Sequence, residues 1–328
     1  MPASQNHIAS VIVVSYNARS LLSKCLKSVL NTANRAQVEV IVVDNASEDG
    51  AADMVRDEFP QINLIVSKVN LGFAAASNLA YKHASGDVVF LLNPDARLKS
   101  GSLDAMFEFL DAHPECGLAG GLIRNPDGGI EPSARRFPGP LNKFSIISGL
   151  SDRFPRFFGG ADYKCFSHDR SLQVDWVPGT FTAIRRSMLE QIGFFDERFF
   201  MYYEETDLCL RAARSGWKTY FVPHAEIEHE GGGCSKTRAD MEFDAGGSQL
   251  LAYRTRSEAL YYRKNFGLMK TLAALWLEAG WHVLRIIVNM GRGSGKKGKR
   301  AYSRMIVRNI RAALRDTRNG RTSPSTPW

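Results

Sequence analysis

Several features that define particular protein classes are missing from this chain of 328 residues. Its five cysteines are scattered and odd in number, and none forms a CxxC pair. This pattern argues against a disulfide framework or a zinc ribbon and favours a reducing compartment. The N-terminus lacks a basic segment followed by an apolar core, so we expect no secretory signal. No GxGxxG follows a predicted strand, and HExxH and GxSxG are absent, which removes several enzyme classes.

The composition is that of a folded protein, with 44% hydrophobic, 10% aromatic and 23% charged residues. The formal net charge of +8 is concentrated at the end of the chain. Residues 291–328 carry eleven Lys and Arg and a single acid, Asp316, whereas the remaining 31 bases and 33 acids nearly cancel. The charge therefore predicts an interaction tail and argues against a nucleic-acid-binding face on the main domain.

From residue 8 to 92, short β-branched runs alternate with segments of helical period, the pattern of βα units around a parallel sheet. The predicted strands are 11–15, 38–43, 63–66 and 88–92. The apolar positions of one predicted helix face are Leu22, Cys25, Leu26, Val29 and Leu30. Further helices are predicted over 49–59, 74–83 and 102–112.

After about residue 115 this alternation fails. Residues 126–172 are predicted as loops with a hairpin around Asp127-Gly128-Gly129. A second ordered block then follows. It comprises a strand or turn over 174–179, strands over 182–185 and 219–222, a helix from about Ser187, and a helix over 204–215 that ends at Gly216.

Each of the first four predicted strands is followed by polar residues. Because ligands bind at the carboxyl ends of strands in open α/β sheets, this edge is the predicted nucleotide site. Taken singly, each cluster is also an ordinary turn or cap signal. The clusters are Ser15-Tyr16-Asn17, Asp44-Asn45-Ala46-Ser47, Asn70-Leu71-Gly72-Phe73 with Asn78, and Asn93-Pro94-Asp95.

Together with later motifs, these clusters resemble glycosyltransferase family 2 and, within it, the bacterial rhamnosyltransferase branch. The later motifs are Trp176-Val177-Pro178-Gly179, Phe195-Asp196-Glu197, Glu204-Glu205-Thr206-Asp207, and His229 ahead of Gly231-Gly232. The resemblance covers residues 8–235 and implies an α/β fold of the GT-A type, with a mostly parallel Rossmann-like sheet. We expect this domain over 1–265, with a nucleotide-binding half (1–115) and an acceptor half (116–265), and a helical extension over 266–328.

The resemblance also implies roles for individual residues. The donor nucleotide would be lined by Ser15, Tyr16, Asn17, Asp44, Asn45, Asn70, Gly72, Phe73, Asn78, Asn93, Trp176 and Gly179. Asp95 would hold Mg²⁺ or Mn²⁺, since Asn93-Pro94-Asp95 stands where the family has Asp-x-Asp. His229 would join it, although an exposed or core-bonded histidine is the alternative.

Three acids near the start of one predicted helix, Glu204, Glu205 and Asp207, are the candidates for the general base. Glu205 occupies the position at which the family usually has the catalytic Asp, and the longer side chain leaves Glu204 and Glu205 both open. Acids at a helix start also simply favour the helix dipole. A base here would deprotonate the acceptor hydroxyl during an inverting displacement.

The expected function is metal-dependent transfer of L-rhamnose from dTDP-L-rhamnose to a saccharide or lipid-linked acceptor in cell-surface polysaccharide synthesis. A UDP-hexose or UDP-galactofuranose transferase, and an inactive scaffold of the same fold, remain alternatives.

The C-terminal extension has the composition of a surface-binding segment. Residues 268–290 are apolar but interrupted by Lys270, Glu278, His282 and Arg285, which makes a poor spanning helix. Beyond them, Arg304, Arg308, Arg311, Arg315 and Arg318 form one helical stripe, with Met305, Ile306, Ile310 and Leu314 on another face. We expect this tail to bind an anionic membrane surface from the cytoplasmic side. A solvated helix or an oligomer contact is the alternative.

Overall fold

The computed structural model describes residues 7–32, 37–154, 163, 166–231, 248–290 and 294–324. Gly232 and residues 291–293 of the glycine-rich linker lie outside this part of the chain. Contacts group the chain into two units. The first comprises Met1–Arg136, Asp162–Asp196 and Glu205–Ala239, and the second comprises Phe137–Ala161, Glu197–Glu204 and Asp240–Trp328. The predicted domain boundary at residue 265 stays a prediction.

The first unit contains the predicted parallel sheet. Its first strands are β1 (Ile8–Ser15), β2 (Gln37–Asn45), β3 (Asn63–Ser67) and β4 (Val88–Leu92). They lie in the order β3-β2-β1-β4, and all neighbouring pairs are parallel. The connecting helices are α1 (Arg19–Thr32), α2 (Ala51–Glu58) and α3 (Gly72–Tyr81). The four predicted strands and their helices are confirmed.

The sheet continues beyond β4 in mixed directions. Its further strands are β5 (Ala96–Leu98), β6 (Cys116–Arg124), β7 (Ile130–Glu131), β8 (Leu172–Val174), β9 (Phe181–Arg185) and β10 (Lys218–His229). The order after β4 is β9-β6-β10-β5, with β7 on β6 and β8 on β10. The helices of this half are α4 (Ser102–Ala112), α7 (Arg186–Ile192) and α8 (Glu204–Arg214).

Two features of the middle of the chain were not predicted. The first is strand β6, for which the sequence analysis makes no prediction because three glycines (Gly117, Gly120 and Gly121) interrupt its apolar residues. In the fold they allow close packing: a Cβ at Gly120 would lie 2.6 Å from the Val177 side chain, and one at Gly121 would lie 2.5 Å from the Phe181 ring. The hairpin after β6 is confirmed, since β7 returns antiparallel to it.

The second concerns the predicted loop over 126–172, which contains two helices, α5 (Pro140–Ile147) and α6 (Leu150–Arg153). Helix α5 starts with Pro140 after Gly139, a start signal that fits the first helical turn because proline needs no hydrogen-bond acceptor there. The prediction of loops is wrong for these two segments.

The second unit is helical in the part that the structure describes. It contains α5, α6, α9 (Ser248–Val288) and α10 (Ser294–Asp316). Helix α9 bends at Gly267, whose φ of 82° breaks the helical backbone. Its residues 249–288 are long and apolar enough to cross a membrane by length and composition alone. The apolar stripe of α10 packs on α9 in a core formed by Ala259, Leu275, Ala279, Ile306, Ile310 and Leu314.

Candidate functional site

The carboxyl ends of β1 and β2 lie side by side, because Ser15 pairs with Asp44 in the parallel register. Both side chains are buried, and Asp44 is only 2% exposed. One carboxylate oxygen of Asp44 accepts the Ser47 backbone N–H at 3.2 Å, whereas Oδ1 has no hydrogen-bond partner among the described residues. A buried acceptor left unsatisfied by the protein is costly unless a ligand supplies the donor.

The loops after these two strands are joined by Asn17, which has a positive φ of 48°. Its backbone N–H donates to Ser47 Oγ at 2.9 Å, and its side-chain oxygen accepts the Glu48 N–H at 2.8 Å. A cleft of about 500 Å³ opens beside Asn17, lined by the first turns of α1 and by α2 as far as Glu58. Tyr16, the residue before Asn17, is half-buried. The two strand ends therefore form one linked rim.

Two of the predicted nucleotide-binding asparagines hold the start of α3. Asn45 donates to the Asn70 side chain at 2.9 Å and accepts the Leu71 N–H at 2.8 Å. Asn70 in turn accepts the N–H of Gly72, whose φ of 79° is natural for glycine. These amides therefore shape the loop through hydrogen bonds to protein.

Three further predicted residues, Phe73, Gly179 and Asn78, are linked through contacts that centre on Phe73 and Phe195. The Phe73 ring lies 5.9 Å from the Phe195 ring, and a Cβ at Gly179 would lie 3.4 Å from Phe73. Asn78 holds Phe195 by two hydrogen bonds, one to its N–H and one from the Asn78 amide to its carbonyl. Both hydrogen bonds have the donor–acceptor distance of an ordinary backbone hydrogen bond.

The indole N–H of Trp176 donates to the Arg136 carbonyl at 2.8 Å. The backbone of Asn93 donates to the Thr180 carbonyl at 3.0 Å and thereby fixes the turn that leads to Asp95.

Asp95 and His229, both predicted as metal ligands, come together in this unit. Strand β5 pairs antiparallel with the end of β10, with Ala96 opposite His229, and this register brings the preceding Asp95 to the histidine. Nε2 of His229 lies 3.2 Å from Asp95 Oδ1. On its other side, Nδ1 lies 2.9 Å from Glu131 Oε2. Asp95 and His229 are both buried, 6% and 8% exposed respectively.

Glu131 was missed by the sequence prediction. It lies two residues beyond the predicted Asp127-Gly128-Gly129 turn, on the short strand β7, where it faces Ile123 across the hairpin. The turn itself was the only available signal, since nothing in the local sequence links Glu131 to a histidine 98 residues away.

The electrostatics of this group favour a cation between the carboxylates. Burial lowers the pKa of His229, but hydrogen bonds to Asp95 and Glu131 and the charges of both raise it further, to about 9. The hydrogen bond to His229 lowers the pKa of Glu131 despite its partial burial. Without another cation, the imidazolium itself neutralises the two acids.

Asp95 and His229 also fit the chemistry of a divalent ion. Two ligands at right angles around Mg²⁺ lie about 3 Å apart, because each bond is about 2.1 Å long. The 3.2 Å between Asp95 Oδ1 and His229 Nε2 matches this separation. In the described part of the chain no group of three or more such side chains converges on one point. An ion held here would therefore take its other ligands from a diphosphate and water.

The three predicted acids differ in their surroundings. Helix α8 begins at Glu204, which is 4% exposed, and Glu205 is half-buried. Asp207 is fully buried and accepts Arg211 Nε at 2.9 Å. Arg211 also donates to the Ile192 carbonyl at 2.7 Å, so the Asp207 carboxylate holds a structural guanidinium.

The backbone immediately before α8 is strained. Tyr202 and Tyr203 both have a φ of 70°, a region that large side chains rarely enter. Such strain concentrates at functional sites, where the surrounding structure enforces it.

Comparison with known proteins identifies the class that this fold and site define. A family model described as glycosyl transferase family 2 matches residues 10–193, and one described as glycosyl transferase family group 2 matches residues 155–284. The chain belongs to glycosyltransferase family 2, and it is a glycosyltransferase.

Two curated relatives share the greater part of their length with this chain. An N-acetylglucosaminyl-diphospho-decaprenol L-rhamnosyltransferase of Mycobacterium tuberculosis is 33% identical over 234 residues, which cover 68% of this chain and 76% of the relative. Rhamnosyltransferase WbbL of Escherichia coli K12 is 25% identical over 227 residues, covering 67% and 82%. The rhamnosyltransferase-like resemblance found in the motifs is thereby confirmed.

Solved structures support the fold at lower identity. A mannosyltransferase from Pyrobaculum calidifontis, solved with GDP-Man and Mn²⁺, matches 95% of this chain and 88% of its own with a TM-score of 0.55 and 18% identity. GalNAc-T7, solved with UDP, GalNAc and Mn²⁺, matches 79% and 51% with a TM-score of 0.53 and 14% identity. The predicted GT-A-type α/β fold is confirmed.

Proposed function

We propose that this protein is a metal-dependent, inverting glycosyltransferase that moves L-rhamnose from dTDP-L-rhamnose to a saccharide or lipid-linked acceptor in cell-surface polysaccharide synthesis. The convergence of Asp95 and His229 beside the carboxyl ends of the parallel strands carries the proposal, since this edge is where α/β sheets bind nucleotides. The names of the two rhamnosyltransferase relatives support the choice of donor sugar.

In this proposal the nucleoside binds at the rim formed by the ends of β1 and β2. Asp44 Oδ1, buried and unsatisfied among the described residues, accepts a hydrogen bond from the base or the ribose. Ser15, Tyr16 and Asn17 line the same rim. The amides of Asn45, Asn70 and Asn78 act by holding the surrounding loops, because their hydrogen bonds go to protein.

Asp95 and His229 are proposed to hold Mg²⁺ or Mn²⁺. Glu131 accepts the Nδ1 proton of His229, so that Nε2 presents its lone pair beside the Asp95 carboxylate. His229 lies on β10, and Asp95 immediately precedes the paired strand β5, so both ligands are held before the donor arrives. When bound, the ion neutralises charge that develops on the departing diphosphate.

The base is proposed to be Glu205, with Glu204 as the alternative. Its carboxylate takes the proton of the acceptor hydroxyl while that oxygen attacks the anomeric carbon on the face opposite the diphosphate, which inverts the configuration. Asp207 is a less suitable base, because its carboxylate is fully buried and paired with Arg211. It instead supports the helix that carries the two glutamates.

The place of action is proposed to be the cytoplasmic face of the cell membrane. A lipid-linked acceptor would be reached from that surface, and the basic C-terminal tail favours anionic lipid. A UDP-hexose or UDP-galactofuranose donor is the alternative within the same fold.

Calorimetry separates these donors. Binding of dTDP, UDP and GDP is measured with Mn²⁺, Mg²⁺ or EDTA to the wild type and to Asp95→Ala. We expect metal-dependent binding of dTDP that the substitution weakens at least tenfold. Tighter binding of UDP would replace the proposed donor, and the absence of any nucleotide binding by folded protein would favour an inactive scaffold.

The base is tested separately with Glu205→Gln and Glu204→Gln. We expect Glu205→Gln to bind dTDP as the wild type does while losing at least 100-fold in turnover, since general base catalysis contributes about 10²–10⁴-fold. Wild-type turnover by Glu205→Gln, with loss in Glu204→Gln, would move the role to Glu204.

A further inference from the structure

The second segment of α9, residues 268–288, exposes an unbroken apolar stripe. Its members recur at intervals of three and four residues, the spacing of one helix face. From the first to the last, 19 steps of 1.5 Å each give about 29 Å. Met269 is 79% exposed and Val288 70%. The stripe consists of Met269, Ala273, Trp276, Leu277, Gly280, Val283, Leu284, Ile287 and Val288.

The titratable residues that interrupt this sequence lie mostly off the stripe. Glu278 points into the unit, where it lies 2.5 Å from Lys143 Nζ, and His282 is 4% exposed and contacts Ser303 at 3.2 Å. Arg285 is half-buried, and Lys270 lies over the Phe266 ring at the start of the segment. The interruptions that make the sequence a poor spanning helix therefore leave one face apolar.

Helix α10 exposes the opposite kind of face. Four residues of the predicted stripe, Arg304, Arg308, Arg311 and Arg315, lie on α10 and are exposed. The fifth, Arg318, is also exposed but lies in the turn after the helix, with a φ of 49°. The apolar residues of α10 are buried against α9, so they cannot enter lipid as a free tail would. Among the described residues, only Arg315 of this stripe pairs with an acid, its neighbour Asp316.

The two exposed faces turn to the same side of the helix pair. His282 meets Ser303 and Arg256 meets Asp316, so residue numbers rise along α9 as they fall along α10, and the helices are antiparallel. At about 100° per residue, each exposed face lies roughly 120° around its helix from the residues that contact the other helix. On both helices the rotation from the contact residues to the exposed face runs in the direction of increasing residue number. Because the helices are antiparallel, one rotation is clockwise and the other counterclockwise when viewed from one end, so both exposed faces point to the same side of the pair.

We propose that this surface of the second unit binds an anionic lipid bilayer, with the α9 stripe among the headgroups and upper acyl chains and the α10 arginines on lipid phosphates. This inference refines the membrane contact of the proposed function, and it places the apolar contact on α9. The complementarity of four aligned cations on α10 to anionic headgroups, beside an exposed apolar face of this length, selects lipid as the occupant.

Binding with α9 in the plane of the membrane surface fits the structure better than an α9 that crosses the bilayer. A spanning segment would place the buried Glu278 and Lys143 pair in hydrocarbon, whereas interfacial binding leaves that pair inside the folded unit.

Vesicle flotation of the full chain tests the proposal. Vesicles of phosphatidylglycerol and phosphatidylcholine are compared with pure phosphatidylcholine, for the wild type, Leu284→Glu/Ile287→Glu and Arg308→Glu/Arg311→Glu, with Lys82→Glu in the first unit as the charge-reversal control. We expect the wild type and control to float with anionic vesicles. Each double variant should bind them at least tenfold more weakly, and added salt should weaken wild-type binding.

Trp276 gives a second readout, because it lies within the stripe and is 49% exposed. Brominated anionic lipids should quench its fluorescence in the wild type, and Trp276→Phe should remove the quenched component. Wild-type flotation by both double variants would overturn the proposal.

Light scattering addresses a second copy of the chain as the occupant. A dimer that Leu284→Glu/Ile287→Glu converts to monomer, without vesicle binding by the wild type, would also overturn the lipid assignment. Calorimetric nucleotide binding by each variant reports its folding and tests the proposed activity independently of lipid.

Discussion

Replacing Lys143 by methionine should destabilise the second unit in a pH-dependent way. The Lys143 ammonium lies 2.7 Å from Glu258 and 2.5 Å from Glu278, and all three side chains are at most 15% exposed. Burial lowers the pKa of Lys143, but the two carboxylates raise it further, so the lysine is charged in the folded protein. This contribution to stability is lost only at alkaline pH above the usual lysine range, because a raised folded pKa favours the protonated form.

The size of the effect follows from what the substitution leaves behind. A methionine side chain in place of Lys143 would fill similar volume but would remove the cation that contacts both Glu258 and Glu278, leaving the charge of Arg254 near the two carboxylates. Breaking a buried ion pair by removing one partner costs about 3–5 kcal/mol. Burial already raises the pKa of Glu278 in the presence of Lys143. Without the lysine, which lowers the pKa of Glu278, burial should favour the protonated form of this carboxyl further, so the cost should be largest near pH 8 and smaller near pH 5.

Urea denaturation at pH 5 and pH 8, followed by tryptophan fluorescence, measures this difference. Trp281 lies against the ring of Phe144, the residue that follows Lys143 in the sequence, so its fluorescence reports on this unit. Lys297→Met, at an exposed position of α10, is the matched control. Adding Glu258→Gln and Glu278→Gln to the Lys143→Met variant should recover much of the loss at pH 8. An equal loss in Lys143→Met and the control, or a larger loss at pH 5, would refute the reasoning.

Two further predictions concern the first unit. Glu131→Ala should weaken Mn²⁺ binding in the presence of dTDP by about 10–100-fold, as measured by calorimetry. Glu131→Gln still accepts a hydrogen bond and should lose less affinity. Equal affinities of the two variants for Mn²⁺ would contradict the role of Glu131 in orienting His229. His7 is held by Asp87 and Asp111, whose hydrogen bonds and charges raise its pKa above 6.5 although burial lowers it. The stability that protonated His7 contributes to the folded protein is fully present below pH 6.5 and is lost as the pH rises through the raised pKa of His7. His7→Gln should therefore cost about 0.5 kcal/mol in urea denaturation at pH 6 and less at pH 9, and a pH-independent cost would contradict this.

The parallel half of the sheet was predictable because its signals are local. Strand β4 is buried along all five residues, and α1 buries Leu22, Cys25, Leu26 and Val29 completely, as the apolar spacing predicts. Strand β6 carries no comparable signal. Its glycines lower strand propensity, and their value appears only in the close approach of Val177 and Phe181 from elsewhere in the chain.

Exposure along α9 was unpredictable for a related reason. The sequence shows where Glu278, His282 and Arg285 occur along the helix. Whether that side of the helix is buried or exposed depends on where α5 and α10 pack. Lys143 lies on α5 and Ser303 on α10, so partners far apart in sequence decide that Glu278 and His282 face inward. Composition alone therefore showed an apolar segment with charged interruptions, and only the fold shows that one face of it is continuously apolar and exposed.

The close approach of the Asp95 and His229 side chains depends on an irregularity in β10. The predicted strand ends at Val222, whereas the observed strand continues to His229 after a shift of register. Val222 pairs with Gly121 and Glu226 with Leu122, so three residues of β10 (Pro223 to Ala225) have no counterpart on β6. Proline lacks the N–H that a regular ladder needs, which suits it to such a bulge. If these three residues were paired in a regular ladder and not taken up by the bulge, His229 would lie about 10 Å further along the strand, at 3.3 Å per residue, and could not reach Asp95. The histidine was recognisable from its motif, but its distance from the carboxylate is set by this bulge.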